Sequence, residues 1–226
     1  MGQYYSPLLF SADKPISAKS FICSFDPHHF NNGAKLTEHS YFGDILVNAV
    51  IAKICSIGKV RLVWVGDYAD KVNRMDLYHK FSEKNNVGYY DVPKMPEGIK
   101  YLVNHTQKVF VNLDTYPKHA VIDTFKAESQ DAHGRGIYSI KKERVDMHHP
   151  LPLLTCMGNG RGGGDYWTKY KNSETNDYVG DWAGDAISFE TEQPDDYREI
   201  KPRFIEYNFD LLDELKRQAD WQIKFE

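Results

Sequence analysis

The chain has 226 residues, 41% of them hydrophobic and 27% charged, and a formal charge of −4 at neutral pH. These are the values of an ordinary globular protein, and we expect one domain over residues 1–226. No run of about 18 apolar residues offers a membrane span, and the start lacks the basic-then-apolar pattern of a secretory leader, so the expected compartment is the cytoplasm.

Met1–Phe10 is apolar and aromatic enough for a first strand, which Pro7 would place at an edge or a bulge. Ser11–Pro15 carries turn residues, and Ala18–Phe25 reads as a second strand. Asp26–Gly33 reads as a loop. Its paired His28 and His29 beside Asp26 invite a metal, but adjacent loop side chains need further ligands that the sequence does not reveal. The clearest helix follows Glu38–His39–Ser40, with Ser40 as N-cap and Asp44 near the positive end of the dipole. From Ile45 to Ile54 only Asn48 and Lys53 are polar, so this is the expected central buried helix, and Asn48 should need a buried hydrogen-bond partner. His39 and Ser40 at its start would lie where unsatisfied N–H groups attract anions.

Lys59–Val65 is rich in β-branched residues and reads as a strand, ending at Gly66–Asp70, where Asp67 and Asp70 are second-rank site candidates. Met75–Asn85 reads as a helix with Leu77, Tyr78 and Phe81 on one face. Ile99–Asn104 and Lys108–Asn112 read as a hairpin around His105–Thr106–Gln107. His105–Thr106 resembles half of a paired His-x-Thr phosphoesterase site, but no second copy is present, and one histidine alone cannot supply both acid and base. His119–Phe125 is another strand, and Glu128–Gly136 a flexible loop leading into Ile137–Ile140 and then the basic Lys141–Arg144. Pro150 and Pro152 argue against a helix before the glycine run. Val179–Phe189 turns and becomes a strand, with Trp182 available to cover the loop. Phe204–Phe209 reads as a strand, and Asp210 caps a last helix carrying Leu211, Leu212, Leu215 and Ala219.

The densest functional signal is the run Gly158–Asn159–Gly160–Arg161–Gly162–Gly163–Gly164–Asp165. Repeated glycine permits positive φ and close backbone approach, but ordering it is entropically unfavourable, so it needs compensating contacts from a ligand or from the protein. The spacing Gly158-x-Gly160-x-x-Gly163 matches a dinucleotide fingerprint, yet Asp165–Asp177 has no helical apolar repeat to supply the required helix. A kinase loop is excluded by the lack of a His-Arg-Asp and an Asp-Phe-Gly motif. Arg161, Lys169 and Lys171 are the cations that a phosphate-binding loop would need. Against the site reading stands the plain one, a long hairpin loop.

Charge is unevenly distributed: residues 174–226 carry 15 Asp and Glu against 6 Lys and Arg, leaving 17 against 22 in residues 1–173. A mildly basic body suits an anionic ligand and is too weak for a nucleic-acid footprint. The three cysteines, Cys23, Cys55 and Cys156, lack the spacing of a zinc ribbon or a disulfide framework. His28–His29 and His148–His149 are adjacent pairs with no His-x-x-x-His partner on the expected helices, so we expect no structural zinc.

Met1–Tyr5, Lys35–Asp44, Val63–Asp70, Asn104–Thr106 and Pro152–Tyr166 together resemble a family of uncharacterised bacterial and bacteriophage proteins. The resemblance spans most of the chain. It implies a phage or prophage setting and a single domain, and it brings no catalytic residues or cofactor with it.

The expected fold is α+β, a mainly antiparallel sheet packed against the Ser40–Ile54 helix with the C-terminal helix as a second cover. The first functional reading is binding, with or without turnover, of a small phosphorylated or nucleotide-like ligand by Gly158–Gly164 and Arg161, with Asp67, Asp70, His39, His105 or Asp165 around it. The alternative is a non-enzymatic interaction protein, for instance a phage factor that blocks a host protein through its acidic C-terminal face or exposed aromatics.

Overall fold

The computed structural model describes residues 2–130, 136–166, 178–204 and 224–225. In chain order the elements are β1 (Tyr5–Ser11), β2 (Phe21–Ser24), α1 (Leu36–His39), α2 (Ile45–Ile57), β3 (Val60–Gly66), α3 (Leu77–Phe81), β4 (Tyr101–Asn104) and β5 (Val109–Asn112). They continue with β6 (His119–Gln130), β7 (Gly136–Asp146), α4 (Pro150–Thr155), β8 (Cys156–Met157), β9 (Ala186–Glu190), β10 (Arg198–Glu199) and β11 (Lys224–Phe225).

The main sheet runs β10-β5-β4-β9-β3-β1-β2, with β8 also beside β3. Its pairings are antiparallel except β5–β10 and β3–β8. The long β6–β7 hairpin and β11 form a second, antiparallel sheet. The fold is therefore α+β with a mainly antiparallel sheet. The proposed last helix, the strand beyond Phe204, and Lys169 and Lys171 lie outside the described residues.

Strand β3 is the organising element. β1 pairs along its whole length, while its other edge is shared, with β9 opposite Val60 and Arg61 and β8 opposite Trp64 and Val65. Alternation along β3 sends Leu62 and Trp64 to one face, with Tyr5, Leu9, α2 and α4, and Val63 and Val65 to the other, with Leu8, Phe10 and α3. Each fully buried side chain of this size contributes about 1.5–3 kcal/mol.

Several local expectations change. Ser40 is not an N-cap: Asp44 caps α2, its carboxylate accepting from the N–H groups of Leu46 and Val47, while Ser40 closes the C-terminal end of the short α1. Helix α2 is the central helix, burying Leu46, Val47, Ala49, Val50, Ile51, Ala52 and Ile54, but Asn48 falls on its solvent side and needs no buried partner. Pro7 lies in an interior strand. It is tolerated because its carbonyl still accepts from Phe25 N–H, beyond the end of β2, and the Phe25 carbonyl, which a Pro7 N–H would have met, accepts the Ser6 hydroxyl instead. Pro150 and Pro152 do not prevent a helix. They occupy the first turn of α4, where N–H groups have no intrahelical acceptor, and His149 caps it through Nδ1. The Met75–Asn85 helix shrinks to Leu77–Phe81, capped by Asp76, and β6 continues to Gln130 through part of the expected Glu128–Gly136 loop.

Candidate functional site

Parallel pairing of β8 with the last half of β3 makes two segments leave the sheet side by side, the turn Gly66–Asp70 and the glycine run. The C-terminal end of such a parallel pair is a common place for ligands. The C-terminal end of the run is tied to two other segments. Gln3 N–H donates to Gly163 O at 2.9 Å, and Thr37 donates to Gly164 O from both its N–H and its hydroxyl, each at 3.2 Å.

Asp165 shapes the interior of the loop. Its Oδ2 accepts the N–H groups of Arg161 (2.7 Å) and Gly162 (2.9 Å), and its Oδ1 accepts the Tyr5 hydroxyl (2.8 Å). The backbone thus forms an anion-binding nest, and Asp165 occupies it. Burial, with the neighbouring Asp165 carboxylate, pushes the Tyr5 phenol far above its usual range and keeps it a donor. Asn159 clasps the neck of the loop, donating to Tyr166 O and accepting from Tyr166 N, both at 2.8 Å.

Arg161 points outward. Its guanidinium makes a two-pronged pair with Asp70 and also donates to Tyr68 O at 2.8 Å. The hydrogen bond from Arg161 holds the Asp70 carboxyl below its ordinary pKa, and the same bond raises that of Arg161. The Asp70 side chain is 78% exposed, so this pair is a solvent-screened one of small energetic weight. Asp67 is a splint for the turn: its N–H donates to Tyr4 O and its carboxylate accepts Tyr4 N–H.

Beneath the loop lies Gln3, fully buried, which sequence reasoning passed over as part of a strand. A Cβ at Gly158 would meet Gln3 Nε2 at 2.7 Å and Ala69 Cα at 2.9 Å, and Gly158 also has φ +96, so no other residue fits there without displacement. A Cβ at Gly162 would lie 2.6 Å from Gln3 Cβ. These glycines are explained by close approach to Gln3. One signal was legible: Gln3 has the core-facing parity of Tyr5 and Leu9 in a strand of otherwise apolar inward positions.

His39 and Ser40 are elsewhere, under the sheet. Trp64 Nε1–H donates to His39 Nε2 at 2.8 Å, which puts the ring proton on Nδ1, where it is donated to Gly33 O at 2.8 Å. Ser40 Oγ shares a 2.6 Å hydrogen bond with His148 Nδ1, and His149 N–H donates to Ser40 O. Burial lowers the pKa of His39 to about 4 and those of His148 and His149 to about 3, so all three are neutral. Ser40 and His148 both have zero exposure, and substrate has no route to that pair in this conformation. His105 sits at the other end of the sheet. Its N–H donates to Ala186 O, opposite Arg61 near the start of β3, and its ring nitrogens contact Ser188 Oγ (2.8 Å) and the Tyr197 hydroxyl (3.2 Å). Ser188 in turn donates to Glu190.

Of the sequence candidates, the structure therefore brings together Gly158 to Asp165, Asp67 and Asp70, and adds Gln3, Tyr5 and Tyr68. Trp182 is not a cover for the loop but part of the core. Asp26 and His29 approach only to 3.9 Å, and among the described residues no three His, Cys, Asp or Glu side chains converge as metal ligands. Among the described residues no helix is long and apolar enough to cross a membrane. No protein-family model matches the chain, and comparison with curated proteins and with solved structures likewise gives no match.

Proposed function

We propose that the chain binds a small phosphate-bearing ligand at the glycine-rich loop, in the cytoplasm and in a phage or prophage setting. The observation that carries this reading is Arg161: a guanidinium presented on a loop already stiffened by Asp165, and balanced by an exposed carboxylate that solvent screens. Phosphate fits the same guanidinium fork as a carboxylate and carries more charge, so it competes with the exposed Asp70 for Arg161. Because Asp165 fills the nest, recognition of charge falls to the Arg161 side chain rather than to the backbone N–H groups.

A thermal-shift series with inorganic phosphate, pyrophosphate, nucleoside monophosphates, ATP and cyclic AMP tests this, since a ligand specific for the folded state stabilises by about 2.7 kcal/mol at a hundred times its Kd. Arg161→Ala abolishes the shift. Asp70→Asn, which removes the competing carboxylate, enlarges it. A flat series, or an Arg161→Ala variant with undiminished shifts, sinks the reading.

The interaction-protein reading draws on a different feature, Tyr89 and Tyr90, whose rings meet edge to face at 5.4 Å with 52% and 96% of their surfaces exposed. Exposed tyrosines are interface material. Loss of host-protein capture in Tyr90→Ser, with ligand shifts intact, would favour that role over the loop.

A further inference from the structure

The carboxamide of Gln3 is wholly buried, and neither its oxygen nor its nitrogen has a hydrogen-bond partner. Burying an amide without partners is unfavourable, and such groups in native proteins call for an explanation. An apolar side chain of the same length would avoid the penalty, so packing alone does not account for a glutamine here. The glycines around it admit no side chain of their own: Gly66, Gly158 and Gly162 leave room for Gln3 and nothing else.

The cover over this amide is the Gly66–Asp70 turn, whose Ala69 packs against Gly158. Its first half is fastened to the strand by the paired Tyr4–Asp67 hydrogen bonds. Its second half is tied to the loop through Arg161, by the bonds to Tyr68 O and to Asp70. The guanidinium placed to receive an anion is thus also the latch of the cover.

We propose that Gln3 is the specificity-determining residue of the site. When an anionic group draws Arg161 away from Tyr68 and Asp70, the second half of the turn lifts, and the Gln3 carboxamide pairs with a ligand edge that presents a donor beside an acceptor. A planar edge of that kind joined to a phosphate is a nucleotide: a carboxamide offers two N–H donors and one acceptor in a plane, the complement of a nucleobase edge. The proposal rests on the ligand reading given above and deepens it from phosphate to nucleotide.

The test is calorimetric titration of the full chain and of Gln3→Met with ribose 5-phosphate and with AMP, GMP, CMP and UMP, together with the melting temperature of each protein without ligand. The expected result is that at least one nucleotide binds the native chain about tenfold more tightly than ribose 5-phosphate, the scale of one or two hydrogen bonds. Gln3→Met erases that preference, leaves ribose 5-phosphate affinity unchanged, and raises the melting temperature because two unpaired polar groups leave the core. Amide exchange at Tyr68–Asp70 accelerates when ribose 5-phosphate binds either protein. If ribose 5-phosphate and every nucleotide bind equally, and Gln3→Met changes none of them, the base-reading role is wrong while the Arg161 site stands, and the amide holds solvent only. If none of the phosphates binds, the Arg161 site itself is wrong and Gln3 falls with it. A Gln3→Met variant that melts lower shows a structural amide and overturns the proposal regardless of ligand.

Discussion

Two polar regions lie near the C-terminal half of β3, one under Trp64 and one at the glycine-rich loop, and they are built on opposite terms. In the histidine cluster under Trp64 the His39 ring is hydrogen-bonded through both nitrogens, Ser40 is paired with His148, and every ring is neutral and closed to solvent. At the glycine-rich loop the backbone is equally well held by Asp165 and Asn159, but an exposed ion pair crosses its rim and an unpaired amide lies in its floor. Histidine and serine, the residues a sequence reader associates with chemistry, here serve packing. The region that retains unfavourable or loosely paired groups is made of glycine, glutamine and arginine.

Acid breaks the contrast most severely. Burial depresses the three histidines from 6.5 to about 4, 3 and 3, so the native state holds them neutral while the unfolded chain takes up protons. Their contribution to stability is complete above about pH 6.5 and declines as the pH falls toward the folded values. At pH 5 the loss is about 2 kcal/mol for each, if they act independently. Denaturant unfolding between pH 7 and 5 should show this slope, and a flat profile would mean that the rings are not buried neutral. Next in size, His39→Ala strands the Trp64 indole N–H and the Gly33 carbonyl, a destabilisation of roughly 2–5 kcal/mol by urea unfolding, with no specific loss at the loop. Gly158→Ala is smaller, about 1–3 kcal/mol, because positive φ and contact with Ala69 strain it, and it should weaken phosphate binding through the displaced turn. Smallest of all, Arg161→Ala leaves the urea midpoint nearly unmoved while removing ligand shifts; a large drop in stability would make the loop rim structural, like the histidine cluster.

Periodicity carried the architecture well where one element faces one core. The buried run Ile45–Ile54, the β-branched Val60–Val65 and the hairpin about His105 are all where the pattern puts them, because burial of apolar side chains dominates their placement. Capping was harder to read, since Ser40 and Asp44 both suit an N-cap and only the tertiary bond from Ser40 to His148 separates them. Proline was over-read at 150 and 152, where the first helical turn has no N–H to lose. At the site, the loop and Asp70 were legible as residue types. Their partnership was not, because Arg161 and Asp70 are joined by the parallel β3–β8 pairing of segments 91 residues apart. Gln3 was hidden for the same reason: its isolation is a property of three glycines that come from distant stretches of chain.

The shared edge of β3 also dictates when the molecule can become whole. β1 can pair early with β2 on one side and with β3 on the other, all within the first 66 residues, but the other edge of β3 receives β8 at residues 156–157 and β9 at residues 186–187. Until those arrive, a buried, β-branched strand presents a row of unpaired backbone groups to whatever strand comes near. Closing such long loops is slow relative to hairpin formation, so assembly is rate-limited by the last third of the chain. A ribosome-bound chain released before residue 187 would carry an open hydrophobic edge, and chaperone dependence and self-association should fall sharply once β9 has emerged.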